Sequence, residues 1–236
     1  MISSVNIQRE TLHLDLPVNS MADASESSSI SPNRLETFCD GVIAIAITLL
    51  VLEIKVPDLH NSTGPQLLGA LQARWPILLA TILSFVIIGC YWVNHHQLMR
   101  WIRSINHGFV LLTLLWLLCL CLIPFSTGVL GETMLQTDSI KVGAPVYLFS
   151  LALPAWVWAA VWHYSVANKL SSSALPARVQ SKFKRTFYLS AAAHLLWVLL
   201  SLYAPWLALG LGTLQALSYL KPLPSLTVPT QRETVV

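Results

Sequence analysis

Asp40 is a carboxylate at the edge of an apolar stretch, and Tyr91-Trp92-Val93-Asn94-His95-His96 sets phenol, indole, amide and imidazole groups at the edge of another. Three chemistries could use such groups. A carboxylate facing an imidazole senses or relays protons, because histidine titrates near neutral pH. The same pair locks two helices together, since a carboxylate in apolar surroundings needs hydrogen-bond donors. Two histidines and a carboxylate also suggest a metal, but neighbouring residues on a helix point about 100° apart, which separates His95 from His96. We therefore expect no metal site. Arg34 lies six residues from Asp40, about 120° round an ideal helix, so it does not face that carboxylate. The partner must come from a second element at the same depth, with Tyr91, Trp92, Asn94, His95 and His96 as candidates. An interhelical lock is the structural reading of this cluster, and a proton- or ion-sensing gate hinge is the functional one.

The elements that must position these groups are membrane helices. The chain is 55% hydrophobic and only 11% charged, with a mean hydropathy of +0.63, too little charge to cover a soluble globule of 236 residues. Nine Trp and six Tyr suit two water–lipid interfaces. The net charge of +3 is scattered, which argues against nucleic acid as a partner. Cys39, Cys90, Cys119 and Cys121 lie in or beside apolar segments and read as small buried hydrophobes. Residues 1–30 are Ser-rich and read as a mobile tail without the apolar core of a signal peptide, so the first span is expected to direct insertion.

Six spans are expected over residues 31–220, an all-α polytopic bundle. Ser31-Pro32 supplies an N-cap hydroxyl and a proline for the first helical turn. The first span then runs from Arg34 to Glu53, roughly 30 Å of helix and the thickness of a bilayer core. On it Gly41, Ile45, Thr48, Leu49 and Leu52 recur on one helical face. Further spans are expected over Trp75–His96, Gly108–Val129 and Val142–Tyr164, with kinks at Pro124 and Pro154. The block Phe187–Leu220 makes two short helices broken at Ala204-Pro205-Trp206. A Pro-rich tail, residues 221–236, ends the chain. With this layout Lys55, Arg74 and Lys141 face outward, leaving eleven of the 14 basic residues inside, so both termini and the Lys169–Arg185 loop are expected to be cytoplasmic. The basic run Arg178–Arg185 reads as part of that solvated loop.

Arg34-x-x-x-Phe38-Cys39-Asp40 resembles the Arg-x-x-x-Phe-Ser-Asp signature of the transmembrane protein 175 potassium channels of lysosomes and bacteria. The resemblance continues through GVIAIAITLLVLEIKVP, through Tyr91–His96 and through Ile123-Pro124-Phe125-Ser126. Cys39 stands where the signature has serine, and Thr113 where the family's third-helix asparagine is expected. Cysteine is the poorer hydrogen-bond donor. The resemblance implies a homotetramer in a bacterial plasma membrane whose first helices line a central pore for potassium. Ile45, Thr48, Leu49 and Leu52 become pore-lining candidates, Ile45 at a hydrophobic constriction. Arg34, Phe38, Cys39, Asp40, Trp92, His95 and His96 form the expected signature and interhelical network.

This implies a passive, potassium-preferring channel, without cofactor, whose apolar neck gates by wetting and whose Thr48 hydroxyls partly coordinate the ion. The chain has neither a TVGYG filter nor an arginine-repeat voltage sensor, so weak voltage dependence and modest selectivity are expected; proton permeation is left open. The alternative is a secondary transporter, or a membrane enzyme built on Asp40, His95 and His96. A transporter should show midplane charge or paired broken helices, and an enzyme a convergent nucleophile and base. The sequence carries neither pattern.

Overall fold

The structure, a computed structural model, describes residues 31–55, 63–172 and 175–219. The expected tails, 1–30 and 221–236, lie outside the described residues. Helix α1 spans Pro32–Leu49 and tightens into a 3₁₀ turn over Leu50–Glu53. It starts where Ser31 Oγ accepts the Arg34 N–H at 3.4 Å and Pro32 enters the first turn, where its missing N–H costs no helical bond. The remaining helices are α2 (Gly64–Gln72), α3 (Trp75–Met99), α4 (His107–Cys121), α5 (Ile123–Thr133), α6 (Ile140–Ala167), α7 (Ala177–Ser201) and α8 (Pro205–Ser218).

Among the described residues, four stretches are long and apolar enough to cross a membrane: Pro32–Glu53, Trp75–Met99, His107–Thr133 and Ile140–Ala167. The third is divided at Leu122, just before Pro124, into α4 and α5. By contrast, α6 runs on through Pro145 and Pro154. It ends in a Schellman turn: Lys169 adopts a left-handed φ of 56°, the Leu170 N–H donates to Ser165 O at 2.9 Å, and the Lys169 N–H donates to Val166 O at 3.2 Å. The last apolar block does break before Pro205, but α7 and α8 are not among the stretches long and apolar enough to span. α8 has 14 residues, about 21 Å of helix.

The structure departs from the sequence reading in three further places. Residues 64–72 are helical rather than loop, because the Thr63 N–H donates to Gln66 Oε1 at 2.8 Å and Pro65 sits in the first turn. The basic run Arg178–Arg185 is also helical. Val179, Phe183 and Phe187 recur on one face of α7 and are buried, and Phe183 and Phe187 pack edge-on against Trp162 of α6 at 5.3 and 5.8 Å. Cys121 is exposed, whereas Cys39, Cys90 and Cys119 are buried.

Helix α6 is the hub, packing on α4, α5, α7 and α8, and 61% of its apolar window is buried. α3 packs on α5, and α1 leans on α3 and α4. Glycine makes the α3–α5 approach possible: a Cβ on Gly131 would stand 2.8 Å from Ile77 Cα, closer than two carbon atoms pack. Inside the bundle, polar groups answer one another. Ser84 Oγ lies 2.7 Å from Thr127 Oγ1 and 3.0 Å from the Tyr147 hydroxyl, which removes most of the cost of burying all three.

Candidate functional site

Only 28% of the α1 window is buried, the lowest share among the four membrane-length stretches, and its two faces differ sharply. Leu35, Cys39, Ile43, Ala46 and Leu50, three or four residues apart, form the buried seam against the rest of the bundle. On the other side Gly41, Ile45, Thr48, Leu49 and Leu52 are all exposed, Ile45 at 60% and Leu52 at 68%. This outward stripe is apolar except for one hydroxyl. Thr48 Oγ1 donates its proton to Ile45 O at 2.8 Å, so its oxygen lone pairs remain available to a cation. Ile47, two residues along from Ile45 and about 160° away, packs against the core instead.

The cytoplasmic end of α1 in the expected topology is tied to α3 by two rungs. Trp92 Nε1 donates to Asp40 Oδ1 at 2.9 Å, and His96 Nδ1 lies 2.8 Å from Glu36 Oε1. Glu36 and Asp40 are four residues apart, as are Trp92 and His96, so antiparallel helices bring both pairs together one turn apart. The Trp92 and His96 rings also stack, with centroids 6.3 Å apart. Glu36 was missed in the sequence reading. Its place one turn before Asp40, matched by His96 one turn after Trp92, was the available signal.

The remaining predicted residues separate. His95 is fully buried and stacks on Trp116 at 5.0 Å and an interplanar angle of 9°, with Trp158 at 5.5 Å. Neither of its ring nitrogens has a hydrogen-bond partner among the described residues. His95 therefore belongs to an aromatic layer between α3, α4 and α6, and the supposed Asp40/His95/His96 cluster splits across α3 as neighbouring residues on a helix must. Cys39 faces the seam, while Arg34 and Phe38 are exposed. Tyr91 turns to α6 and donates to Leu151 O at 2.7 Å. Thr113 is buried and returns its hydroxyl proton to Phe109 O at 2.9 Å, and Ser126 bonds Ser150 of α6.

As a chemical object, then, the site is an exposed apolar stripe with one hydroxyl, on a helix fastened to its neighbour by two charged rungs. Such a surface supplies no nucleophile–base pair.

Residues 34–124 match the family model described as endosomal/lysosomal potassium channel TMEM175. The chain is 35% identical over 187 residues to a potassium channel of Streptomyces collinus, covering 79% of this chain and 90% of that one. It is 33% identical over 191 residues to a potassium channel of Chamaesiphon minutus, covering 80% and 93%. To the human endosomal/lysosomal proton channel TMEM175 it is 38% identical over 92 residues, which covers 36% of this chain and 18% of that protein. Its fold is similar to the crystal structure of a lysosomal potassium-selective channel TMEM175 homolog from Chamaesiphon minutus, with a TM-score of 0.72, 30% identity and coverage of 80% and 96%.

Proposed function

The chain belongs to the TMEM175 family of ion channels, not enzymes, and from that premise we propose that it is a passive, potassium-preferring channel whose pore is lined by the outward stripe of α1. The observation that carries the reading is the separation of faces on α1: every residue of Gly41/Ile45/Thr48/Leu49/Leu52 is exposed, opposite a seam that is buried throughout. Four copies around an axis turn the stripes inward, and six spans per subunit, counting α7 and α8 as the last two, set both termini in the cytoplasm of a bacterial plasma membrane.

In that assembly Ile45 forms the neck. A ring of isoleucine side chains holds water poorly, so an ion must shed hydration to pass, and the neck gates by wetting. One turn further out, the Thr48 hydroxyl oxygens offer partial compensation. With no charge on the stripe, conduction depends weakly on voltage. The rungs Asp40–Trp92 and Glu36–His96 lie one to three turns from Ile45 and hold the pore helix on α3, so they fix the neck's radius rather than touch the ion. The name of the human relative extends the reading to protons.

Flux through the purified full chain in liposomes tests the proposal. Potassium should run down its own gradient with no counter-ion gradient present, sodium more slowly, and a pH-sensitive dye inside the vesicles reads any proton leak. Transport that requires an opposing ion gradient would replace the channel with a coupled exchanger.

A further inference from the structure

Between α3, α6, α7 and α8 lies a cavity of about 270 Å³. Its walls are mostly apolar, Ile87, Leu148, Leu151 and Phe187 among them, and no Asp, Glu, Lys or Arg lines it. Most of its polar groups are already engaged. Tyr91 is bonded to Leu151 O, and the Tyr219 hydroxyl accepts from Gln215 Nε2 and donates to Ser190 Oγ, both at 2.6 Å. Two are not: the Asn94 side-chain amide and the Thr186 hydroxyl make no hydrogen bond among the described residues. An unpaired amide and an unpaired hydroxyl on an otherwise apolar wall are what a ligand with one polar end would satisfy.

We propose that this cavity binds a small uncharged amphiphile, an apolar body carrying a single hydroxyl or carbonyl, and that its occupancy acts on α1 through α3. A charged head is disfavoured because no Asp, Glu, Lys or Arg lines the walls, the one imidazole there, His194, already meets Ser190 O at 2.8 Å, and burying an uncompensated charge is strongly unfavourable. Size narrows the class further. A dry cavity of about 150 Å³ accommodates benzene, so this one holds a body of roughly ten to twelve non-hydrogen atoms. The coupling follows from helix geometry. Ile87, Tyr91 and Asn94 of α3 line the cavity, while Trp92 and His96, on another face of the same turns, hold Asp40 and Glu36 of α1. The binding claim is independent of ion conduction; the coupling claim rests on the channel reading.

The test uses the full chain in phosphatidylcholine liposomes, photolabelled with a diazirine-bearing octanol and mapped by mass spectrometry. Labelling should concentrate on cavity residues such as Tyr91, Leu151 and Tyr219, and excess octanol should remove it while hexadecanol, too long for the volume, does not. Asn94→Leu keeps the side chain's size and removes its amide. It should weaken octanol about 3–10-fold, the loss of one hydrogen bond, and leave a diazirine-bearing octane unaffected. Ala155→Leu, which fills the cavity from α6, should abolish labelling by both. Octanol should also change potassium flux in the wild type and not in Ala155→Leu. Labels spread evenly over exposed positions such as Leu111 and Leu118, or unchanged octanol affinity in Asn94→Leu, would overturn the site. So would a phosphatidylcholine with a diazirine in its acyl chain that labels the same residues and resists octanol, because the occupant would then be a lipid tail. Site labelling with unaltered flux overturns the coupling alone, and site labelling in a protein that conducts nothing overturns the channel reading while leaving the site intact.

Discussion

Cutting the rung between Asp40 and Trp92 should loosen the pore helix by a definable amount. The Trp92 indole N–H donates to a carboxylate at 2.9 Å, and hydrogen bonds to charged groups contribute about 1.5–3 kcal/mol. Trp92 is 42% exposed, so competition from water draws the value to the lower end, about 1.5 kcal/mol. Trp92→Phe removes the donor and keeps an aromatic ring on His96; Asp40→Ala removes the acceptor. For a chain of this length 1 kcal/mol corresponds to about 2–4 °C in Tm, so each variant should melt about 3–6 °C lower. The double variant should melt no lower than the worse single one, because both remove the same bond. The more exposed rung between Glu36 and His96 should give a coupling of only about 0.5 kcal/mol. Circular dichroism melts of the purified full chain in detergent, assembled as the double-mutant cycle, measure all of this. Fully additive effects of Asp40→Ala and Trp92→Phe would refute the rung as an energetic link.

Two further outcomes follow from packing and charge. Gly131→Ala should destabilise by about 1–3 kcal/mol, because its Cβ meets the Ile77 backbone, whereas Gly89→Ala, with nothing within 4 Å, should be neutral or gain up to about 1 kcal/mol of helix propensity; the same melts compare them. In sealed vesicles, single cysteines in a chain cleared of its exposed Cys121 should react with an impermeant reagent from outside at position 138 and from the cytoplasmic side at position 103, and the reverse pattern would invert the six-span topology.

What could be read in the sequence was what local chemistry decides. Ser31-Pro32 starts α1 and Ala204-Pro205 separates α7 from α8 because caps and prolines act within a turn or two. The stripe of α1 was visible as a spacing, whereas the seam of Leu35, Cys39, Ile43, Ala46 and Leu50 emerges only from burial in the bundle, since lipid accepts any apolar face; an isolated carboxylate such as Asp40 announces that it needs a partner. Which partner was a tertiary matter: Trp92 and His96 lie on the face of α3 toward α1, while His95 turns to Trp116 and Trp158, 21 and 63 residues further along the chain, where no local pattern points. The start of α7 was hidden by the basic residues between Val179, Phe183 and Phe187, although their four-residue spacing was present. α2 lies in the polar stretch between the first two expected spans, where no element was expected although Thr63 and Gln66 make a helix start.

Ion flux through Ile45→Asn tests the pore assignment most directly, with Ile47→Asn as its control. The two changes are chemically identical and sit about 160° apart on α1, one on the exposed stripe and one packed on the core. In liposomes holding well-assembled protein, Ile45→Asn should wet the neck, raising potassium flux and narrowing the difference between potassium and sodium, while Ile47→Asn should lower stability and yield of assembled protein without that loss of discrimination. Flux and selectivity in Ile45→Asn equal to those of the wild type would show that ions do not pass along this face of α1.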